Sequence, residues 1–275
     1  MILNRNKIKP FFSFSNNRQI WRILFSGKNR LVVEERDIDK QQAFFNCIET
    51  ESRRIIFKDY QFEEKFWIGI EAVNKEIIYF HRYQRPDMPY HIGIIAFNID
   101  NQKILWEKKD LNFEFASDTL VYASVSSLDN KKYFILNSDS GEVVEEFSEL
   151  ERIELIKKQN SHEQNYQDYI IPGLEQKLHG NYQQLVNIVT KGKKILGNIE
   201  NAVYGKYLLC SFHVEVDTKS LEQHFFLIDI NRKKTIFAEK TGEQLKAFRV
   251  ETFFIKSGVL YLIKNKNELL FFDLT

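Results

Sequence analysis

Apolar residues recur along this chain in short runs of strand length, separated by polar or glycine-containing turns. One run in each set is aromatic or aliphatic and ends on a polar or acidic residue. Its five copies are AFFNCIE (43–49), IIAFNID (94–100), YFILN (133–137), FFLID (225–229) and LLFFD (269–273). After each of the first four copies, a polar turn leads into another apolar run. Runs of this length between turn residues predict antiparallel hairpins.

Two further apolar runs precede each copy. In the second set these are FWIGIEAV (66–73) and EIIYFHRY (76–83), split by Asn74 and Lys75. Four strands per set, recurring about every 40 residues, is the spacing of β-propeller blades. We therefore predict an all-β protein, a β-propeller of four-stranded blades, forming a single domain over residues 1–275.

The last set has only three runs before the sequence reaches Thr275. We expect the fourth strand from IKPFFSF (8–14), which lies upstream of the first complete set at IWRILF (20–25). Joining the two ends of the chain in one blade would close the ring and remove an open sheet edge. Pro10 agrees with this arrangement, because proline in a sheet is confined to edge strands.

The segment 148–194 interrupts the repeat. Its first part, 148–170, is polar and lacks strand periodicity, so we expect it to be mobile and protease-sensitive. Its second part, 174–189, has apolar residues at helical spacing, and Pro172 is suitably placed for a helix start. The apolar helix face would consist of Leu174, Leu178, Tyr182, Leu185 and Val189. The pattern favours a helix-bearing insertion and five blades; the alternative is a degenerate sixth blade.

Composition agrees with a β-rich core, because 24 Phe and 12 Tyr accompany only 11 Gly and 4 Pro. The 39 basic and 38 acidic residues nearly cancel and form no concentrated basic surface, so we expect no nucleic-acid partner. No apolar run has the length of a membrane span and the N-terminus lacks signal-peptide features, so we expect a cytoplasmic protein without a membrane partner. Cys47 and Cys210 are expected to be buried free thiols.

A glutamate lies in the predicted first strand of four sets. The innermost strand of a propeller blade lines the central channel, so these side chains are candidates for ligand binding. They are Glu71, Glu114, Glu200 and Glu251, with Arg22 at a similar place in the first set. Such carboxylates could hold a hard cation or a sugar, and a pair could act as acid and base in glycoside hydrolysis. The alternative interpretation is that they only face channel water.

A second candidate is HRYQRPDMPYH (81–91), predicted to be a loop between two strands. Arg82 and Arg85, together with the tyrosines, could bind an anionic ligand or a protein partner. The two histidines, His81 and His91, are a weak metal signal. A proline-stiffened polar loop is the simpler interpretation, and we predict neither a metal nor a cofactor.

Two other polar motifs are interpreted as structural. The sequence EERD (34–37) is typical of a solvated strand end. Ser211 and His213 would share one strand face, but no third triad member and no nucleophile-elbow motif accompany them. No catalytic residue is assigned from the sequence.

Several segments resemble an uncharacterised family of propeller-like proteins from Bacteroidetes. They are IWRILF with RLVVEERD, HIGIIAFNIDNQKILWE, and VETFFIKSGVLYLIKNKNELLFFDL. The resemblance covers most of the chain and consists of strands and turns. The family has no established activity, so the resemblance implies the fold and supplies no catalytic residues. The run ILWE (104–107) is also similar to the quinoprotein-type blade repeat, but the glycine-rich features of that repeat are largely absent, so cofactor binding is not implied.

Two classes of function follow from this pattern. The first is a non-catalytic scaffold that binds a protein or a small polar ligand. The alternative is a carbohydrate-binding or glycoside-hydrolysing protein that uses the glutamates. The feature that separates them is whether two or more of the four glutamates meet in one pocket.

Overall fold

The computed structural model describes residues 7–27, 29–85, 88–126, 130–160, 168–217 and 220–275. Within these ranges the chain forms 22 β-strands and two α-helices, and the strands pair into five antiparallel sheets. The predicted all-β class is therefore confirmed. The chain divides into two compact units. The central unit is Arg18–Asn165, and the terminal unit combines Met1–Asn17 with Tyr166–Thr275.

The elements follow the apolar runs closely. The strands are β1 (Phe12–Ser15), β2 (Gln19–Ser26), β3 (Arg30–Asp37), β4 (Gln42–Glu49), β5 (Arg54–Tyr60), β6 (Ile68–Asn74), β7 (Ile77–Arg85), β8 (Met88–Asn98), β9 (Lys103–Lys108), β10 (Asn112–Ser117), β11 (Leu120–Ser126), β12 (Lys131–Asn137), β13 (Val143–Phe147), β14 (Tyr169–Ile170), β15 (Gly173–Glu175), β16 (Ile195–Tyr204), β17 (Tyr207–Asp217), β18 (Ser220–Asp229), β19 (Lys234–Leu245), β20 (Phe253–Lys256), β21 (Val259–Lys264) and β22 (Glu268–Asp273). The helices are α1 (Leu150–Asn160) and α2 (Gly180–Thr190).

The central unit contains three four-stranded sheets, β2–β5, β6–β9 and β10–β13, each with its strands in chain order. Aromatic side chains fill the space between the first two sheets, where Phe45 and Phe80 meet edge to face at 4.7 Å. Such edge-to-face pairs add to the free energy gained by burying apolar area. Helix α1 packs Ile153 against the apolar face of β10–β13.

The terminal unit contains two five-stranded sheets, β15-β16-β17-β18-β19 and β1-β22-β21-β20-β14. Phe225 of the first sheet and Phe253 of the second pack edge to face at 5.1 Å inside a shared apolar core. Helix α2 buries Leu185 and Val186 against β16–β18.

The predicted pairing of the N-terminal and C-terminal strands is observed. β1 runs antiparallel to β22, with Phe12 opposite Phe271 and Phe14 opposite Leu269. Phe14 is buried, and Pro10 lies just before the strand, where its missing N–H costs no ladder hydrogen bond. Five sheets also agree with five repeat units. The number of propeller blades and the closure of a ring stay predictions.

The interrupting segment 148–194 differs in detail from what its sequence predicts. α1 forms inside the part expected to be mobile, because Ile153 finds a partner surface on β10–β13. The protease sensitivity of 148–170 stays a prediction, and residues 161–167 within it lie outside the described residues.

The helix predicted over 174–189 begins later, at Gly180. Gly173–Glu175 forms β15 instead, since its backbone pairs with β16, and the proposed helix start at Pro172 is therefore wrong. Leu174 is 51% exposed and does not join the docking face, whereas Leu178 and Leu185 are buried as predicted.

The two cysteines are free and buried, as predicted. Burial raises the pKa of each thiol, Cys47 and Cys210, to about 12, so both are protonated and unreactive near neutral pH. In the described part of the chain, no helix is long and apolar enough to cross a bilayer.

Removing β1 should destabilise the terminal unit. A variant lacking residues 1–15 loses the buried Phe14 and exposes the β22 edge, so we expect aggregation or loss of a cooperative melt. Loss of the phenylalanine alone is worth about 3–5 kcal/mol. Circular dichroism melting and light scattering measure both effects. A variant lacking only residues 1–6 is the control, and a soluble 1–15 deletion with the parent's melting temperature would rule out a structural role for β1.

Candidate functional site

Three side chains that the sequence placed in separate motifs meet on the sheet β6–β9. Glu71 lies on β6, His81 on β7 and His91 on β8, and we call them the Glu–His–His cluster. Oε2 of Glu71 is 2.8 Å from Nδ1 of His81 and 2.7 Å from Nδ1 of His91. The ligand atoms of the three residues all lie within 4.8 Å of one another.

The two imidazole rings stack on each other. Their centroids are 3.5 Å apart and their planes differ by 8°, and the ring of Tyr83 stands edge-on to both. His81 is buried, whereas the side chain of His91 is 41% exposed. The cluster therefore has one fixed histidine at its base and one that can move at the surface.

Irregular strand pairing brings the cluster together. Along β6 and β7, Ile70 pairs with Phe80 and Ala72 with Tyr79, so Glu71 is an extra residue in a bulge. A second shift occurs between β7 and β8 at His81, opposite Gly93, whose φ of +79° suits glycine. Bulges change the face on which the following side chains lie, and they often aim a side chain at a functional site.

Glycine at position 69 gives the buried histidine its space. A Cβ atom added to Gly69 would lie 3.1 Å from Cε1 and Nε2 of His81 and 3.3 Å from Nη2 of Arg36. A larger side chain would push the imidazole away from Glu71.

Buried charges hold the β6 backbone next to the cluster. Oε2 of Glu34 accepts a hydrogen bond from the Ile70 amide at 2.9 Å, and Nη1 of Arg22 donates to the Ile70 carbonyl at 2.5 Å. Arg36 bonds Glu34 and also donates to the carbonyls of Phe66 and Ile68, at 2.7 Å each. The residues before Glu71 are thus fixed from both sides.

The electrostatics favour an anionic glutamate beside a neutral buried histidine. Burial alone would raise the pKa of Glu71, but the close contacts of its carboxylate with Nδ1 of His81 and Nδ1 of His91 outweigh burial and lower that pKa. Burial lowers the pKa of His81; the carboxylate of Glu71 opposes this shift, and the neighbouring His91 adds to it, so that the pKa of His81 remains lowered. Neither ring nitrogen of His81 has a partner in hydrogen-bond geometry among the described residues, because the short approach of Nδ1 to Glu71 is poorly aligned.

One carboxylate oxygen and two imidazole nitrogens form a donor set that suits borderline divalent metals. Ligand atoms around a tetrahedral zinc ion with bonds of about 2.0–2.2 Å are separated by about 3.3–3.6 Å. The observed separations of 2.7 and 2.8 Å are shorter than this spacing, so the ligand atoms would move apart by about 0.5–0.9 Å to admit the ion. The stacked rings would have to splay to point both lone pairs at one ion, and the exposed His91 can rotate outward.

Glu114 lies in a different cluster of the same unit. It also occupies a bulge, between Phe113 and Phe115, and it accepts hydrogen bonds from Ser124 at 2.6 Å and Lys131 at 2.6 Å. Glu114 and Lys131 line a groove together with residues of α1, among them Ile153. The side chains of Glu71 and Glu114 therefore contact different residues and do not meet in one site.

Glu200 is buried in the terminal unit, away from water. Its carboxylate accepts hydrogen bonds from the Glu251 amide and, at 2.8 Å, from the Thr252 hydroxyl. Burial raises its pKa, and these hydrogen bonds offset only part of that rise. Gln223 extends the network by donating to Ser211 and Thr252.

Glu251 does not occupy the first strand of its set. β20 begins at Phe253, and Glu251 precedes it as an exposed residue with φ of +58°. The backbone amide of Glu251 is used to hold Glu200. The assignment of Glu251 to a channel-lining strand position is therefore wrong.

The candidate arginines are held by different partners. Arg22 donates to the backbone of β6, and Arg82 forms an ion pair with Glu107 of β9. Arg85 ends β7, opposite Met88, and its side chain lies outside the described residues. The segment predicted to be a loop is mostly strand, since β7 extends to Arg85 and β8 begins at Met88; Pro86 and Asp87 lie outside the described residues.

The EERD motif is not a solvated strand end. Glu34, Glu35 and Arg36 are 1%, 0% and 4% exposed. Their charges are satisfied inside the protein, where Glu35 also accepts from Asn46 at 2.9 Å. The prediction was wrong because the charged side chains bond to the adjacent sheet, which the sequence of one strand does not show.

Ser211 and His213 do not form a hydrolase site. Both are buried, Ser211 binds Gln223, and Nε2 of His213 accepts from the Arg249 amide at 3.0 Å. This agrees with their structural interpretation.

Comparison with protein families gives a partial match. A family model described as "Domain of unknown function (DUF4905)" matches residues 25–106, a segment that includes the whole Glu–His–His cluster. The match supports the resemblance to an uncharacterised family for this part of the chain. The relation to Bacteroidetes stays a prediction. The comparison with curated proteins returns no significant match.

Solved structures with low sequence identity resemble the chain. A member of the DUF4221 family from Bacteroides vulgatus has 9% identity and a TM-score of 0.36, covering 99% of each chain. The β-propeller domain of the Trilobed protease from Pyrococcus furiosus has 10% identity and a TM-score of 0.32, covering 94% of this chain and 71% of that one. A europium-containing methanol dehydrogenase has 11% identity and a TM-score of 0.33; this chain is 97% covered and spans only 53% of that protein. These similarities establish no shared activity.

Substitutions of Glu200 test whether its carboxylate is buried with a raised pKa. Glu200→Gln keeps an acceptor for the Glu251 amide and removes a buried charge, so we expect it to stabilise the protein at neutral pH. Glu200→Ala should instead cost about 1–3 kcal/mol, because Thr252 and the amide lose their acceptor.

The raised pKa of Glu200 also predicts how the stability difference between the parent and Glu200→Gln changes with pH. Because the folded pKa of Glu200 is raised, its burial penalty is absent at low pH and grows as pH rises above the ordinary glutamate value of about 4.3. Urea unfolding from pH 4 to 8 should show the advantage of the glutamine variant increasing across this window. Parallel stability profiles for the two proteins would contradict a raised pKa.

Proposed function

We propose that this protein binds a small polar ligand at the Glu–His–His cluster and acts by binding rather than by catalysis. The proposal rests on one observation: the imidazole nitrogens of His81 and His91 both contact the same carboxylate oxygen, Oε2 of Glu71, and His91 is partly exposed to solvent. Convergent polar groups with shifted pKa values are features of binding sites. Of the two partner classes expected from the sequence, we favour the small ligand over a protein.

The carbohydrate-cleaving alternative has less support. Glycoside hydrolysis by the common mechanisms needs two carboxylates that flank one bond and are free to exchange protons. Glu114 is engaged by Lys131 and Ser124, and Glu200 is buried against Thr252. Glu71 differs from these two glutamates, because it contacts two histidines whose imidazole rings can themselves bind a ligand.

A thermal-shift screen tests the proposal. The protein is melted with divalent cations and, in EDTA, with small carboxylates, phosphates and sugars. A ligand that binds the cluster should raise the melting temperature of the parent, since saturation at about 100 times Kd adds roughly 2.7 kcal/mol. His91→Ala should abolish the shift; because His91 also contacts Glu71 and stacks on His81, the shift of this variant is measured from its own melting temperature in the absence of ligand.

His224→Ala is the matched control. His224 also approaches a glutamate, Glu222, at 3.1 Å, but no second imidazole of the described residues joins that pair. The control variant should keep the ligand-induced shift. If no compound or cation produces a shift that depends on His91, the cluster is not a binding site.

A further inference from the structure

We infer that the Glu–His–His cluster is a binding site for one divalent transition-metal ion of the zinc type, held by Glu71, His81 and His91. This inference rests on the proposed function and names the class of ligand. The two nitrogens and one oxygen leave room in the coordination sphere for water or a ligand group.

The first argument is the chemistry of the donors. Imidazole nitrogen suits zinc, copper, nickel and iron, whereas magnesium and calcium prefer oxygen donors alone. Two of the three donors here are imidazole nitrogens. The cluster should therefore discriminate against the hard cations that a ring of glutamates would bind.

The second argument is the buried histidine without a hydrogen-bonded partner. His81 is 3% exposed, and both of its ring nitrogens lack partners in hydrogen-bond geometry among the described residues. A buried polar group without a hydrogen-bond partner destabilises the folded protein, because it has lost its bonds to water. A metal bond to Nδ1 would satisfy the nitrogen that already lies 2.8 Å from Glu71.

The third argument is pre-organisation. Gly69 provides the space for the His81 ring, and the β6 backbone before Glu71 is fixed by Glu34 and Arg22. A site built on paired strands holds its ligands more accurately than one on a loop. His91 is the ligand that has to move, and its exposure allows this.

The charge balance also agrees. In their metal-binding forms, two neutral imidazoles and one ionised carboxylate, the three ligands would carry a net charge of −1, which a divalent cation would change to +1. Neutral imidazole and ionised carboxylate are the forms that bind metals. The occupied site would therefore carry one net positive charge, which suits an anionic ligand group at an open coordination position.

Isothermal titration calorimetry with Zn²⁺ tests the inference. The full chain is treated with EDTA, dialysed and titrated with Zn²⁺, and separately with Ca²⁺ and Mg²⁺. We expect one equivalent of Zn²⁺ to bind and no comparable binding of Ca²⁺ or Mg²⁺. His91→Ala and Glu71→Gln should each weaken Zn²⁺ binding by about 10-fold or more. His224→Ala should bind Zn²⁺ within twofold of the parent.

The outcomes separate this inference from the proposed function. No stoichiometric Zn²⁺ binding, or equal loss in the His91 and His224 variants, overturns the metal site. A His91-dependent thermal shift by an organic ligand in EDTA would then still support the proposed function. Because circular dichroism melts in EDTA show whether each variant is folded, a loss of binding by a folded His91→Ala protein is attributable to the missing ligand.

Discussion

The buried ion pair between Glu34 and Arg36 fixes the backbone on which the candidate site is built. Arg36 Nη2 lies 2.6 Å from Glu34, and each partner uses its remaining polar atoms on the backbone from Phe66 to Ile70. Among the described residues no backbone ladder joins these two sheets, and the side chains of Glu34 and Arg36, together with Arg22, hydrogen-bond one sheet to the other. Removing one partner of such a buried pair would leave an uncompensated charge and cost about 3–5 kcal/mol. The position of Glu71, one residue beyond Ile70, depends on this pair.

Bulges in the first strands explain why the glutamates differ in role. In β6 and β10 the bulged residue is the glutamate, and in β2 it is Trp21, next to Arg22. In β16 the pairing shifts between Leu196 and Glu200. Each irregularity changes which side chains face the neighbouring sheet and which face solvent. The result is one glutamate bonded to histidines, one to a lysine and one that is buried.

The sequence predicts the strands well, because each apolar run between turn residues buries its side chains in the same way. It also predicts the partnership of β1 and β22 from the missing strand of the last set. It fails for α1, whose single buried residue, Ile153, gives almost no periodic signal. It also fails for EERD, because the backbone groups to which Glu34 and Arg36 hydrogen-bond lie 30 or more residues away.

The sequence identifies the three residues of the Glu–His–His cluster as candidates, but it does not predict that they meet. Glu71 and the pair His81 and His91 each draw attention as separate motifs, but their meeting depends on two register shifts. A bulge has no reliable sequence signal other than a glycine such as Gly93. If the segment 81–91 had been predicted as a continuous hairpin of β7 and β8 rather than as a loop, the prediction would have placed His91 near His81.

Anomalous diffraction from crystals grown with Zn²⁺ tests the central claim most directly. The account predicts a zinc peak about 2.0–2.2 Å from Nδ1 of His81, Nδ1 of His91 and an oxygen of Glu71, with His91 rotated away from the stack. Zinc bound only at other residues, with the imidazole rings still stacked at 3.5 Å, would contradict it.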